Sequence, residues 1–294
     1  MYSPDSLEII SEILMVTCIT ALSLVFGRKI ASIEGPVRYI RGLLLLLYGL
    51  SWAFDLISCM SSSTNNGNYI SCLVGFFNCV ILHTVTKVVL YLYFTEKAYI
   101  ISVPKSNRFS SALYVCNLCM LIPYIGFIIM MVVYRETLVS ADYPFFCSIG
   151  YQMPASVAVL AYDFCINIMF AGVFIKYAYW PNTGQQTSHQ SSLLHMMARR
   201  NIIVSITSAL MTVANYGVII AFSGSPRGLV TMTISAIDVT LVAGVVQWAT
   251  SHPAVEIQSL EKLLQRGNND KTVKLEIKQH QEVVVLTELA SQRV

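Results

Sequence analysis

The chain has 294 residues, of which 55% are hydrophobic and 12% charged, with a mean hydropathy of +0.62 and a formal net charge of +3. Soluble domains carry about 25% charged residues, so this balance excludes an ordinary soluble fold and points to a polytopic membrane protein. The Lys and Arg residues form no long run, which gives nucleic acid no footing as a partner.

The opening MYSPDSLEIISE is acidic, lacks a basic n-region and is followed by no small-residue cleavage pattern. The first apolar run is therefore expected to insert as an uncleaved anchor. A helix needs about 20 apolar residues to cross the hydrocarbon core. Windows that satisfy this are Ile9–Phe26, Gly42–Met60, Tyr69–Phe94, Ala112–Tyr134, Pro154–Tyr177, Asn201–Phe222 and Leu229–Ala249. Glu12, inside the first, lies within a turn of its end and can reach the headgroups. Polar connectors separate them: SSSTNNGN (Ser61–Asn68), YWPNTGQQTSHQSS (Tyr179–Ser192) and SGSPRG (Ser223–Gly228). No internal repeat is visible, which counts against transporters built from duplicated halves.

Arg28, Lys29, Arg38, Arg41, Lys97, Lys105, Arg108, Lys176, Arg199 and Arg200 fall on one set of connectors and span ends. The opposite set holds only Arg135 and Arg227. The positive-inside rule then predicts an N-terminus outside and a C-terminus in the cytosol. The expected fold is all-α, a seven-transmembrane helix bundle over residues 1–250, followed by a cytosolic tail over 251–294. In that tail AVEIQSLEKLLQRG sets Val255, Ile257, Leu260, Leu263 and Leu264 on one stripe, a short amphipathic helix on the inner leaflet that Gly267 would end.

Ionisable residues inside the spans stand out: Asp55, His83, Lys87, Asp163 and Asp238. Charge in hydrocarbon is costly and calls for a partner. His83 and Lys87 are four residues apart, hence on one helical face. The depths of Asp55, Asp163 and Asp238 each suit a pairing with Lys87, and Asn167, Asn215 and Gln247 can add hydrogen bonds. The eight cysteines form no metal-ligand pattern. Cys18, Cys79, Cys116, Cys119 and Cys165 read as small apolar packing residues. His83 is the only histidine within a span, so neither an intramembrane metal set nor a serine–histidine pair is available, and no enzyme activity or cofactor is expected. The last span has no lysine to bind retinal.

The layout resembles the rhodopsin-like G-protein-coupled receptors. Cys72 opens the third span on the outer side, and Cys147 lies in the outer loop between the fourth and fifth spans. Counting 25 residues on from Cys72 reaches Lys97 within Glu96-Lys97-Ala98-Tyr99, where the family has an acid–arginine–aromatic triplet. The sequence departs from the family in the seventh span, which has Asp238-Val-Thr-Leu-Val and no Asn-Pro-x-x-Tyr, and in the sixth, which lacks the proline and tryptophan. ARRN before the sixth span and QWATSHP after the seventh are similar to seven-span receptor-like proteins of fungi.

The resemblance implies a Cys72–Cys147 disulfide, with Cys59 as a competing thiol. It implies a plasma-membrane receptor whose ligand, of unknown identity, enters from outside between spans three, five, six and seven. His83, Lys87, Asp163, Asn167 and Asp238 would form the ligand floor. Asp55 and Asn215 would be network partners, and Tyr162 and Tyr216 wall residues. Glu96, Lys97, Arg199 and Arg200 would rim a cytosolic cleft for a heterotrimeric G protein. The alternative is a proton-coupled carrier using Lys87 and the intramembrane aspartates, or a scaffold working through its tail.

Overall fold

In a computed structural model, the residues described are 5–31, 39–64, 68–102, 111–139, 147–180, 188–223 and 226–251, with backbone alone for 188–194. The tail and its expected amphipathic helix lie outside them, as do Arg38, Lys105 and Arg108. Helices α1 (Ser6–Ala31) and α2 (Tyr39–Ser63) are the first two spans. The third is α3 (Tyr69–Phe77) and α4 (His83–Ile101), joined without a break by a π-helical turn, Asn78–Leu82. The fourth is α5 (Ala112–Cys119) and α6 (Pro123–Val133). Then come strands β1 (Arg135–Val139) and β2 (Cys147–Tyr151), and helices α7 (Met153–Tyr179), α8 (Ser188–Ala221) and α9 (Gly228–Ala249).

Among the described residues, seven helices are long and apolar enough to cross a membrane. The fold is thus a helical bundle of the kind found in multi-pass membrane proteins. Most spans run a few residues past their apolar windows, and α8 starts well before Asn201. The third span is the central one: 61% of its apolar window is buried, against 17% for the first and 22% for the fourth. Ile9, Ile13, Ile125, Ile129 and Leu210 point away from the bundle. Such outward apolar faces suit a lipid solvent. Cys116, Cys119 and Cys165 are exposed with them. They are therefore not interior packing residues as expected; only Cys18 and Cys79 are buried.

Two local departures from regular helix have identifiable causes. Pro123 has no N–H to give to Cys119, and its ring crowds the preceding turn. The chain answers with tight bonds, Leu121 N–H to the Leu118 carbonyl at 3.1 Å and Ile122 N–H to that of Cys119 at 3.2 Å. The Tyr162 hydroxyl donates to the Met120 carbonyl at 2.7 Å, filling an acceptor the break would strand. In the third span the His83 N–H reaches back to the Asn78 carbonyl, one residue further than an α-helix allows. The Asn78 amide spans the gap to α2, donating to the Phe54 carbonyl at 3.0 Å and the Ser58 hydroxyl at 2.8 Å.

The hairpin β1–β2 is the addition to the expected all-helical fold. Its strands pair antiparallel, Arg135 opposite Tyr151 and Val139 opposite Cys147. Strand β2 is buried along its whole length and lies across one end of the bundle. The Ile149 N–H donates to the Pro226 carbonyl at 3.1 Å, and the Thr231 hydroxyl to the Ile149 carbonyl at 3.3 Å. Close approach needs glycine here: a Cβ on Gly228 would sit 2.9 Å from the Ile149 side chain and 3.2 Å from the Cys147 carbonyl oxygen. Cys72 and Cys147 are joined in a disulfide with a Cα–Cα separation of 5.8 Å, and Cys59 is free.

Asp5 meets Arg227 at 3.3 Å at the hairpin end, whereas Lys29 donates to Thr250 at 3.3 Å at the other. The start of α1 and the end of α9 therefore sit at opposite ends of the bundle. Non-reducing peptide mapping is expected to return Cys72 linked to Cys147 and Cys59 alkylatable. Replacing Cys147 by serine is expected to cost about 2–4 kcal/mol, read as a fall in thermal midpoint.

Candidate functional site

The centre of the site follows from the i to i+4 ladder of α4. His83, Lys87 and Tyr91 all stand on the buried face of that helix. Facing them, α9 presents Thr231, Ser235 and Asp238, and α8 presents Asn201, Ser205, Ser208, Thr212 and Asn215, all buried. Spacings of three and four make each set one helical stripe. On α8 these polar groups face inward, while Ile203, Ile206, Leu210 and Val213 face outward.

The Lys87 ammonium lies 3.1 Å from Asp238 Oδ2 and 3.2 Å from Oδ1, with both side chains buried. His83 Nε2 is 2.9 Å from the same Oδ2 and donates to it. A nitrogen that carries this proton cannot also accept. The approach of the Asn215 amide to Nε2, at 3.5 Å, is thus a polar contact. Asn215 is held instead by Ser235 at 2.9 Å. The third donor of Lys87 points to the Thr212 hydroxyl oxygen at 3.2 Å. That hydroxyl donates onward to Asp163 Oδ2 at 2.5 Å.

Asp163 is the second centre. Tyr91 and Tyr124 both donate to its Oδ1, at 2.6 and 2.5 Å. Asn167 donates to the Tyr91 oxygen at 2.8 Å and to the Asp163 carbonyl at 2.9 Å. The Tyr91 ring stacks on Phe170 at 5.9 Å, which seals this side with aromatic surface. One connected network thus joins the third, fourth, fifth, sixth and seventh spans through His83, Asp238, Lys87, Thr212, Asp163, Tyr91 and Tyr124.

Of the three aspartates at a suitable depth, Asp238 is the one paired directly with Lys87. Asp163 is reached through a hydroxyl. Asp55 stands apart: Thr240 donates to its Oδ2 at 2.8 Å, and its Oδ1 has no hydrogen-bond partner among the described residues. It is therefore not a direct member of the Lys87 network, though the Phe54 ring beside it lies 5.9 Å from His83. Gln247 accepts from Tyr48 at 3.2 Å. Tyr216 is buried, whereas Tyr162 serves the fourth-span break.

The expected cytosolic rim also divides. Glu96 and Lys97 are buried, at 1% and 3% exposure, so they do not form an open rim. Lys97 lies over the Tyr93 ring at 5.6 Å and feels the charges of Lys29 and Glu96. Arg199 is exposed, and Arg200 stacks on Trp248 at 5.4 Å.

Tyr91, Tyr124, Thr212, Ser235 and Thr240 were not among the residues expected from the sequence. Tyr91 continues the spacing of His83 and Lys87, and Thr212 falls in the polar stripe of α8, so both were findable by periodicity. Among the described residues no group of His, Cys, Asp and Glu is placed to hold a metal ion. No protein-family model matches the sequence, and no curated protein matches it significantly.

Removing one member of a buried ion pair costs about 3–5 kcal/mol, because the other is left charged and unpaired. Lys87→Met is therefore expected to lower the yield of folded protein sharply. Adding Asp238→Asn is expected to restore part of it, and Asp163→Asn less, since Asp163 keeps its hydroxyl donors. Monodisperse yield on size exclusion measures both.

Proposed function

We propose that the chain is a seven-helix membrane receptor of rhodopsin-like layout, with the hairpin end outside and the Thr250 end in the cytosol. The observation that carries this reading is the buried tie from Lys87 and His83 in the third span to Asp238 in the seventh, beneath a hairpin strapped to the third span by Cys72–Cys147. Arg28, Lys29, Arg41, Arg199 and Arg200 cluster toward the Thr250 end, which supports the orientation. A persistent disulfide at the other end supports it independently, because such bonds belong to an oxidising compartment.

Strand β2 covers the outer end, so a ligand that approaches His83 from there must displace the hairpin or pass between spans. Ligand binding would shift the balance between two arrangements of spans three and seven. The heterotrimeric G protein would meet the cytosolic end near Arg199. The plasma membrane is the site that such a role requires.

A carrier is the second reading. The unbroken sequence of polar groups from His83 to Asp163, beside a fourth span broken at Pro123, favours it.

Nucleotide exchange separates the two. Protein in lipid is mixed with G-protein α subunits from its own source. Wild type is expected to raise exchange above background, and Arg199→Glu, a change at an exposed position, to abolish it without loss of folded yield. Background exchange from wild type, together with proton flux into sealed vesicles that is lost in an equal amount of folded Lys87→Met/Asp238→Asn protein, would replace the receptor by the carrier.

A further inference from the structure

We infer that Lys87 has two counter-ions: Asp238, which it contacts here, and Asp163, with the Thr212 hydroxyl as the bridge across which it changes partner. The argument begins with charge. Two carboxylates, Asp163 and Asp238, share one ammonium in the buried network. Among the described residues Asp163 is held by hydroxyls alone, those of Tyr91, Tyr124 and Thr212. Asp238 has the opposite surplus, with Lys87 and His83 both donating to it.

Geometry makes the exchange short. The Thr212 oxygen is 3.2 Å from the ammonium and 2.5 Å from Asp163 Oδ2, so a single hydroxyl separates Lys87 from its second carboxylate. A lysine side chain has a flexible four-carbon stem and three rotatable donors, which allows the ammonium to swing past one hydroxyl. The move strands nothing. Asp238 keeps the His83 proton, and Asp163 gains the cation it lacks.

The two arrangements differ in what they tie together. With Asp238, Lys87 binds the third span to the seventh. With Asp163, it binds the third to the fifth, while His83 alone holds the seventh. Two packings that differ by one ion-pair partner form a bistable element. The inference does not depend on whether the protein signals or transports.

The test compares wild type, Asp238→Asn, Asp163→Asn and the double variant, each purified in lipid nanodiscs. Asparagine keeps the shape and an acceptor for His83. Asp238→Asn is expected to keep its folded yield within about threefold of wild type, and the double variant to lose about tenfold or more, because only there is the ammonium buried with no carboxylate. An Asp238→Asn yield as low as that of the double variant would overturn the inference, since Asp163 would then be unable to take over. A double-variant yield as high as that of Asp238→Asn would also overturn it. Infrared spectroscopy supplies a second readout, which decides if Asp163→Asn alone falls as low as the double variant. In the Asp238→Asn background, adding Lys87→Gln is expected to shift the Asp163 carboxylate band, which is identified by its loss on Asp163→Asn. An unmoved band would show that Lys87 never reaches Asp163.

Discussion

An ammonium in the middle of an apolar bundle constrains everything around it. Lys87 must be matched by negative charge, and the match must hold its remaining donors as well. The structure meets both demands with Asp238 and Thr212. Each lies on a different helix, so satisfying one side chain fixes the relative rotation of the third, sixth and seventh spans. Hydrogen bonds between membrane helices are individually weak, of order 1 kcal/mol. A charge that cannot be left alone specifies geometry more strongly than such bonds do.

The backbone irregularities serve that centre. The π-helical turn at Asn78–Leu82 inserts extra rotation directly before His83. It lets the part of the third span before the turn bring Cys72 and Gly75 toward the hairpin, while the part after it brings His83, Lys87 and Tyr91 toward the polar stripes. The break at Pro123 acts similarly in the fourth span, where Tyr124, the next residue, reaches Asp163. Strand β2 then closes the end above both with backbone bonds to the α8–α9 connection and to α9.

The seven helices were legible because apolar length is a strong signal, and the basic bias of alternate connectors was countable. The intraspan charges were legible for the same reason: Lys87 and Asp238 are conspicuous against valine and leucine. Which aspartate meets Lys87 was not legible, because depth along a helix says nothing about rotation, and the π-helical turn changes the rotation without leaving an apolar gap in the sequence. The hairpin was hidden because RETLV and CSIGY are short runs inside a connector. Glu96 and Lys97 misled the sequence reading, since a charged pair at a span end usually faces solvent and this one is enclosed by its neighbours.

The separation of partners along the chain bears on how the protein is made. Synthesis delivers spans from the N-terminus onward, and Lys87 enters the membrane long before Asp238, which follows 151 residues later. Cys147 likewise trails Cys72 by 75 residues. The third span is therefore born with an unmatched charge and an unmatched thiol. Asp163 emerges well ahead of Asp238, so of the two carboxylates in the Lys87 network the one made first is the one the lysine does not contact in the finished bundle. Final registration of the central helix therefore waits for the last span, which carries the carboxylate that Lys87 contacts.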